Sequence, residues 1–276
     1  MDERNFRQLL ENQWAQGKFL CVGLDSDFEK IPEVARKEGV RETIVAFNRA
    51  IVDATKDYVC AYKPNSAFYE LHGDEGWKAL RETITYINEA APDVAVILDA
   101  KRGDIGNTND AYARSAFDHL RADAVTVHPY FGSEALEPFL ARAEKGIIVL
   151  CRSSNPGAGE LQDLKVGDTP LYQALASLVS TTWNSRGNCC VMVGATYPGE
   201  LAEVRAIVGD MPILIPGIGT QNGDIEKTVK SGKNSKGHGM IICASRAVIF
   251  ASSGDDYART AGAKAEELHD AIKKAL

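Results

Sequence analysis

Eight short apolar runs constrain the fold of this chain more than any other feature. They lie at residues 19–25 (FLCVGLD), 58–63 (YVCAYK), 94–99 (VAVILD), 123–127 (DAVTV), 146–151 (GIIVLC), 189–194 (CCVMVG), 212–216 (PILIP) and 240–245 (MIICAS). Their hydrophobicity is continuous rather than alternating, which predicts strands buried on both faces, as in parallel sheets covered by helices. Most gaps between them carry apolar residues at three- and four-residue spacing, such as Ile44, Phe47, Ile51 and Leu80, Ile84, Ile87, the pattern of amphipathic helices. Eight strand–helix units in 276 residues match the size of a (β/α)8 barrel. An open doubly wound sheet would need a Gly-rich phosphate turn after its first strand. Here Val22-Gly23-Leu24 runs into Asp25-Ser26-Asp27, while Gly217-Ile218-Gly219 comes late and is followed by Thr220-Gln221-Asn222. The expectation is an α/β fold, a single TIM barrel domain over residues 1–276. An extra N-terminal helix around 3–15 would cover its base, and a last helix at 255–275 would pack on the outer ring.

Charge and composition exclude several classes of function. Thirty-eight acids against 31 bases give a formal charge of -7, with no Lys/Arg block, so nucleic acid is not an expected partner. Charges interrupt every apolar run well before the roughly 18 residues of a spanning helix. The start, MDERNFRQLLENQW, opens with acids rather than with a basic and then an apolar region. A soluble, cytoplasmic protein without membrane contact is expected. Cys21, Cys60, Cys151, Cys189, Cys190 and Cys243 sit in apolar segments, with no C-x-x-C pair and no histidine at zinc spacing. They read as buried reduced thiols without chemistry, and no metal site is expected.

Barrel active sites are built at the C-terminal ends of the strands. Reading those ends in order gives Asp25, Lys63, Asp99 with Lys101, His128, Ser153 with Ser154, and Ser245 with Arg246. The third end is the densest, with four charges in Asp99-Ala100-Lys101-Arg102-Gly103-Asp104. In extended chain Asp99 and Lys101 point to one side, and Gly103 is expected to supply the turn that brings Asp104 toward the mouth. Lys63 ends its run, and Pro64 is expected to stop the ladder there. Lysines at two consecutive strand ends, with Asp25 and Asp99 beside them, predict an alternating charge network. Carboxylates keep such lysines as ammoniums, which suits donating a proton to a carbanion and does not suit a Schiff base. The same carboxylates would repel an anionic group, and the repulsion would vanish if that group left as a neutral gas, so the physics fits decarboxylation. Across the mouth, Pro216-Gly217-Ile218-Gly219-Thr220-Gln221 and Ser245-Arg246 suit a phosphate monoester. Arg152 to Thr169 is a candidate lid. Lys230 to Gly239, with His238, reads as a solvated insert on the opposite face.

The D-x-K-x-x-D-I run from Asp99 through Thr108, together with Lys63, resembles the orotidine 5'-phosphate decarboxylase family. The likeness extends from Gly23-Leu24-Asp25 to Ser245-Arg246, and the K-R-G-D form suits the family's longer-chain branch. It implies conversion of orotidine 5'-phosphate to uridine 5'-phosphate, the last step of de novo pyrimidine synthesis, with neither metal nor organic cofactor. It further implies that Asp25 and Lys63 contact the ribose and that Lys63, Asp99, Lys101 and Asp104 are catalytic, Lys101 protonating the carbon that loses carbon dioxide. The family is a homodimer with shared sites, in which Asp104, Ile105 and Thr108 reach the partner's site. Ser154, or Ser153 if the loop register shifts by one, matches the serine on the pyrimidine. Gln221 and Arg246 match the phosphate grip, beside Pro216, Gly217, Gly219 and Ser245. Three alternatives stand beside this. Magnesium-dependent sugar-phosphate decarboxylases and synthases of the same superfamily share the motif but place an acidic metal ligand where this chain has Lys63. Arg102-Gly103-Asp104 also spells a cell-attachment tripeptide, which would need an exposed hairpin. A non-catalytic phosphate-sensing barrel would need no lysines between carboxylates.

Overall fold

The computed structural model describes residues 4–219 and 224–276. Among these, eight parallel strands close into a barrel: β1 (Leu20–Leu24), β2 (Val59–Pro64), β3 (Ala95–Arg102), β4 (Ala124–Val127), β5 (Gly146–Arg152), β6 (Cys189–Val193), β7 (Ile213–Pro216) and β8 (Met240–Ala244). Neighbours in sequence are neighbours in the ring, and β1 pairs with both β2 and β8, as in Cys21↔Ala61 and Cys21↔Cys243. The strands start and stop close to the apolar runs because burial on both faces selects those residues.

The connecting helices bury the stripes that their periodicity marked. Ile44, Phe47 and Ile51 of the helix Val40–Thr55, and Leu80, Ile84 and Ile87 of Gly73–Ala90, are fully buried. The N-terminal helix, Phe6–Ala15, is capped by Asn5, whose side-chain oxygen accepts the N–H of Gln8 at 3.0 Å. It seals the base: Phe6 and Trp14 are buried, and the Trp14 indole donates to the Met240 carbonyl at 2.9 Å. Gly146, which opens β5, leaves room for the Phe6 ring, since a Cβ there would lie 2.2 Å from it. The last helix runs over Tyr257–Ala275. Among the described residues no helix is long and apolar enough to cross a membrane.

Of the two long connections, the second differs from expectation. The helix Ile225–Gly232 absorbs the start of the Lys230 to Gly239 stretch. His238 is half-buried rather than solvated, with its ring 6.2 Å from Trp14 and 6.0 Å from Phe19, because the loop folds back over the aromatic side chains at the base. The Arg152 to Thr169 stretch is folded. After Arg152 completes β5 come a 3-10 turn at Pro156–Ala158, a short helix at Gly159–Gln162 and a two-residue antiparallel ladder, Lys165–Val166 with Thr169–Pro170.

Candidate active site

At the mouth, the buried Lys63 lies next to the last residue of β2 and the buried Asp99 lies on β3, and their side chains meet. Lys63 Nζ donates to Asp99 Oδ2 at 2.7 Å and stands 3.8 Å from Asp25 Oδ1. Lys101 Nζ donates to Asp99 Oδ1 at 2.6 Å, and the Thr126 hydroxyl donates to the same oxygen at 3.0 Å. The expected chain of alternating charges is thus assembled, with Asp99 between the two ammoniums. Burial disfavours charge on both members of the central pair, and the partners outweigh it. Lys63 and Lys101 hold the Asp99 carboxyl well below the usual carboxylate range. Asp99, then Cys243 and Asp25, hold the Lys63 ammonium well above the usual lysine value.

Local geometry bears on two expectations about this network. The left-handed backbone after Asp99 falls at Lys101, φ 47, inside β3 where the pairing with β4 shifts register, and Gly103 does not take a positive φ. A glycine is needed at 103 for space, because a Cβ would lie 2.4 Å from Nε2 of His128, whose ring nitrogen meets the Gly103 carbonyl at 3.0 Å. Pro64 is the last residue of β2, as expected, and only an isolated bridge lies beyond it. It pairs with Leu24, and after it Asn65 makes a single bridge to Asp99. The arginine of the attachment-like tripeptide is engaged: Arg102 forms an ion pair with Glu70 and lies 5.1 Å over the Tyr112 ring.

The network borders two adjoining cavities. One, of about 150 Å³, is lined by Asp25, Lys63 and Asp99 from the first three strand ends, by Pro216, Gly217, Cys243, Ser245 and Arg246 from the last two, and by Ser154. The next, of about 220 Å³, shares Lys63, Asp99, Ser154 and Pro216 and adds Lys101, Thr126, Ser153 and an apolar wall of Leu150, Met192 and Leu214. Together they form a trough with a charged centre, a greasy wall and a basic end. Gly217 and Gly219 both take left-handed backbone, φ 111 and 94, which favours glycine in this loop. Gly219 itself is not among the lining residues, and Gln221 lies outside the described residues. Ser153 is tied into its own loop, donating to Asn155 at 2.7 Å and accepting from Gln162 at 2.9 Å, whereas Ser154 borders both cavities.

Asp104, Ile105 and Thr108, which the resemblance assigns to the partner's site, do not line this trough. Asp104 accepts the N–H of Ile105 at 2.6 Å, and Ile105 is 58% exposed. Sequence reasoning missed Thr126, Cys243 and the wall of Leu150, Met192 and Leu214. Thr126 had a signal, as the polar side chain inside the run DAVTV; the others look like ordinary core.

A closed (β/α)8 barrel with a lysine–carboxylate–lysine chain at its mouth and an arginine across the cavity is an enzyme scaffold of the class that works through fixed charges. The family model described as orotidine 5'-phosphate decarboxylase / HUMPS family matches residues 18–261. The chain belongs to the orotidine 5'-phosphate decarboxylase family. An orotidine 5'-phosphate decarboxylase of Cellvibrio japonicus is 49% identical over 272 residues, covering 98% of this chain and 99% of the relative. The solved structure of Leishmania donovani OMP decarboxylase superposes with a TM-score of 0.84 at 40% identity, covering 99% of this chain and 100% of that one. Leishmania donovani UMP synthase superposes with a TM-score of 0.85 at 40% identity; 98% of this chain is covered, and it spans 57% of that longer protein.

Proposed function

We propose that this chain decarboxylates orotidine 5'-phosphate to uridine 5'-phosphate through the Lys63–Asp99–Lys101 network. The observation that carries this reading is the single buried carboxylate held between two lysine ammoniums at the mouth of the barrel. A substrate carboxylate placed beside ionised Asp99 is repelled, and the repulsion is relieved as the C6–carboxylate bond breaks and neutral carbon dioxide leaves. The electron pair stays on C6, where the Lys101 ammonium stabilises it and delivers a proton; solvent then reprotonates the lysine. Arg246, Ser245 and the Gly217 loop, with Gln221, take the phosphate. Asp25 and Lys63 take the ribose and Ser154 the pyrimidine. Binding energy from the distant phosphate offsets the cost of seating two carboxylates together. The chain is read as one barrel domain of a cytoplasmic homodimer, with Asp104, Ile105 and Thr108 completing the partner's site.

The magnesium-dependent alternative is disfavoured by Lys63, a tethered cation already lying between Asp25 and Asp99 that would repel a metal ion there. The test is the ultraviolet change of orotidine 5'-phosphate mixed with the protein and excess chelator, beside Lys101→Ala. Rapid loss of substrate with the wild type alone supports the reading. No change without metal, but turnover of a sugar phosphate with magnesium, overturns it. Sedimentation of the protein on its own tests the dimer.

A further inference from the structure

Thr126 is the polar residue of an otherwise apolar strand: Ala124, Val125 and Val127 of β4 are fully buried, and Thr126 is 1% exposed. A hydroxyl so deep needs hydrogen-bond partners, and both of its partners belong to the charged turn. It accepts the backbone N–H of Lys101 at 2.9 Å and donates to Asp99 Oδ1 at 3.0 Å. The direction of each bond is fixed, since an amide N–H can only donate and an ionised carboxylate can only accept. Lys101 is one of two non-glycine residues with positive φ among the described residues, a conformation that disfavours a lysine and persists only where its surroundings impose it. The same turn brings Lys101 Nζ back onto Asp99 Oδ1 at 2.6 Å, the oxygen that Thr126 also holds.

We propose that Thr126 is a positioning residue for decarboxylation, its one hydroxyl locking both the left-handed turn of Lys101 and the orientation of the Asp99 carboxylate. The inference rests on the reading in which Asp99 and Lys101 face the reacting carbon. Thr126 acts through them: it sets where the ammonium points and which lone pair of Asp99 is left to face the substrate. The phosphate contacts lie on other strands, and Lys63, on the ribose side, holds the other Asp99 oxygen, Oδ2, at 2.7 Å. Valine has the same shape but leaves the Lys101 N–H and Asp99 Oδ1 each short of a partner, whereas serine keeps the hydroxyl.

The experiment compares Thr126→Val, Thr126→Ser and Thr126→Ala with the wild type, with Lys101→Ala as a separate arm. Thr126→Val is expected to lower kcat about 100-fold, the size of effect that a small misplacement of a reacting group produces. KM and the affinity for uridine 5'-phosphate should stay within about threefold, because the phosphate contacts are untouched and Lys63 keeps its bond to Asp99 Oδ2. Thr126→Ser should recover most of kcat. With one donor fewer on Asp99, the acid limb of the kcat–pH profile should move to higher pH in Thr126→Val, which a loss of packing alone would not cause. If Thr126→Val does not fold, the ratio of Thr126→Ser to Thr126→Ala isolates the hydroxyl. Equal kcat in that pair, or wild-type kcat and pH profile in Thr126→Val, overturns the proposal. Full activity in Lys101→Ala would instead overturn the reading on which it rests.

Discussion

Two carboxylates stand at opposite ends of the barrel, Asp99 at the mouth and Asp123 at the base, each against cations. Asp123 is fully buried, its two oxygens accept Arg4 Nε and Nη2 at 2.9 and 2.7 Å, and Oδ2 also takes the Val96 N–H at 2.8 Å. Arg4 is itself tied to the backbone carbonyls of Pro92 and Val94. That cluster is built to hold: arginine keeps its proton at any working pH, and neither Arg4 nor Asp123 lines the two cavities of the trough. Asp99 has partners of another kind, lysines that can give up a proton, one of them, Lys101, with a side chain 48% exposed beside the trough. The same pairing of opposite charges therefore fastens the chain at one end and is available for chemistry at the other.

Substitutions can break that contrast, and the largest effect is expected at Lys101. Lys101→Ala should lower kcat by about 10⁴-fold or more, combining a lost proton donor and a lost stabilising charge. Asp123→Asn should leave kcat of the folded protein within about threefold of wild type; a loss of activity comparable to that of Lys101→Ala would erase the distinction. Next comes Arg246→Ala, expected to cost about 10³-fold in kcat/KM although it touches no reacting atom, and an unchanged kcat/KM would sever phosphate binding from catalysis. On stability the order reverses. Asp123→Asn should lower it by about 3 kcal/mol, read in denaturant melts, because Arg4 is left beside a neutral group. The smallest effect belongs to His238→Ala at the base, about 1 kcal/mol of lost ring packing with no change in kcat.

Acid and base sharpen the contrast further. The Asp99 carboxyl is depressed, so its contribution to stability is complete above the ordinary carboxylate range and is lost as pH falls through its lowered value. The Lys63 ammonium is raised, so its contribution is complete below the ordinary lysine value and is lost as pH rises through the raised one. Between about pH 5 and pH 9 the pair's contribution is flat. Melting temperatures of the wild type and of a Lys63→Met, Asp99→Leu double variant should therefore run parallel across that window. A difference that grows within it would mean that one of the two groups titrates there.

The barrel was legible because burial on both faces leaves a continuous apolar signature, and Lys63, Asp99 and Arg246 were legible because each follows or ends such a run. The shape of the turn was not. A left-handed lysine opposes local preference and is held by Thr126, 25 residues along the chain, so no short window of sequence contains its cause. The apolar wall was hidden for a different reason: Leu150, Met192 and Leu214 have the same chemistry as core residues, and only the closed ring separates a side chain that borders the trough from one that fills the barrel. His238 read as solvated because its neighbours in sequence are polar, while its neighbours in space are aromatic.

The close approach of Gly103 and His128 constrains how this sequence can change. A methyl group at 103 would lie 2.4 Å from Nε2 of His128, so the imidazole must move to admit it, and a smaller residue at 128 would open that space while removing the ring that meets the Gly103 carbonyl. The two positions are therefore expected to be epistatic. Gly103→Ala alone should be strongly harmful, and His128→Ala should relieve the clash in the double variant without restoring the lost contact. Each position sets the substitutions the other can accept, so a route that changes either one must pass through a chain in which the turn carrying Asp104 is badly held.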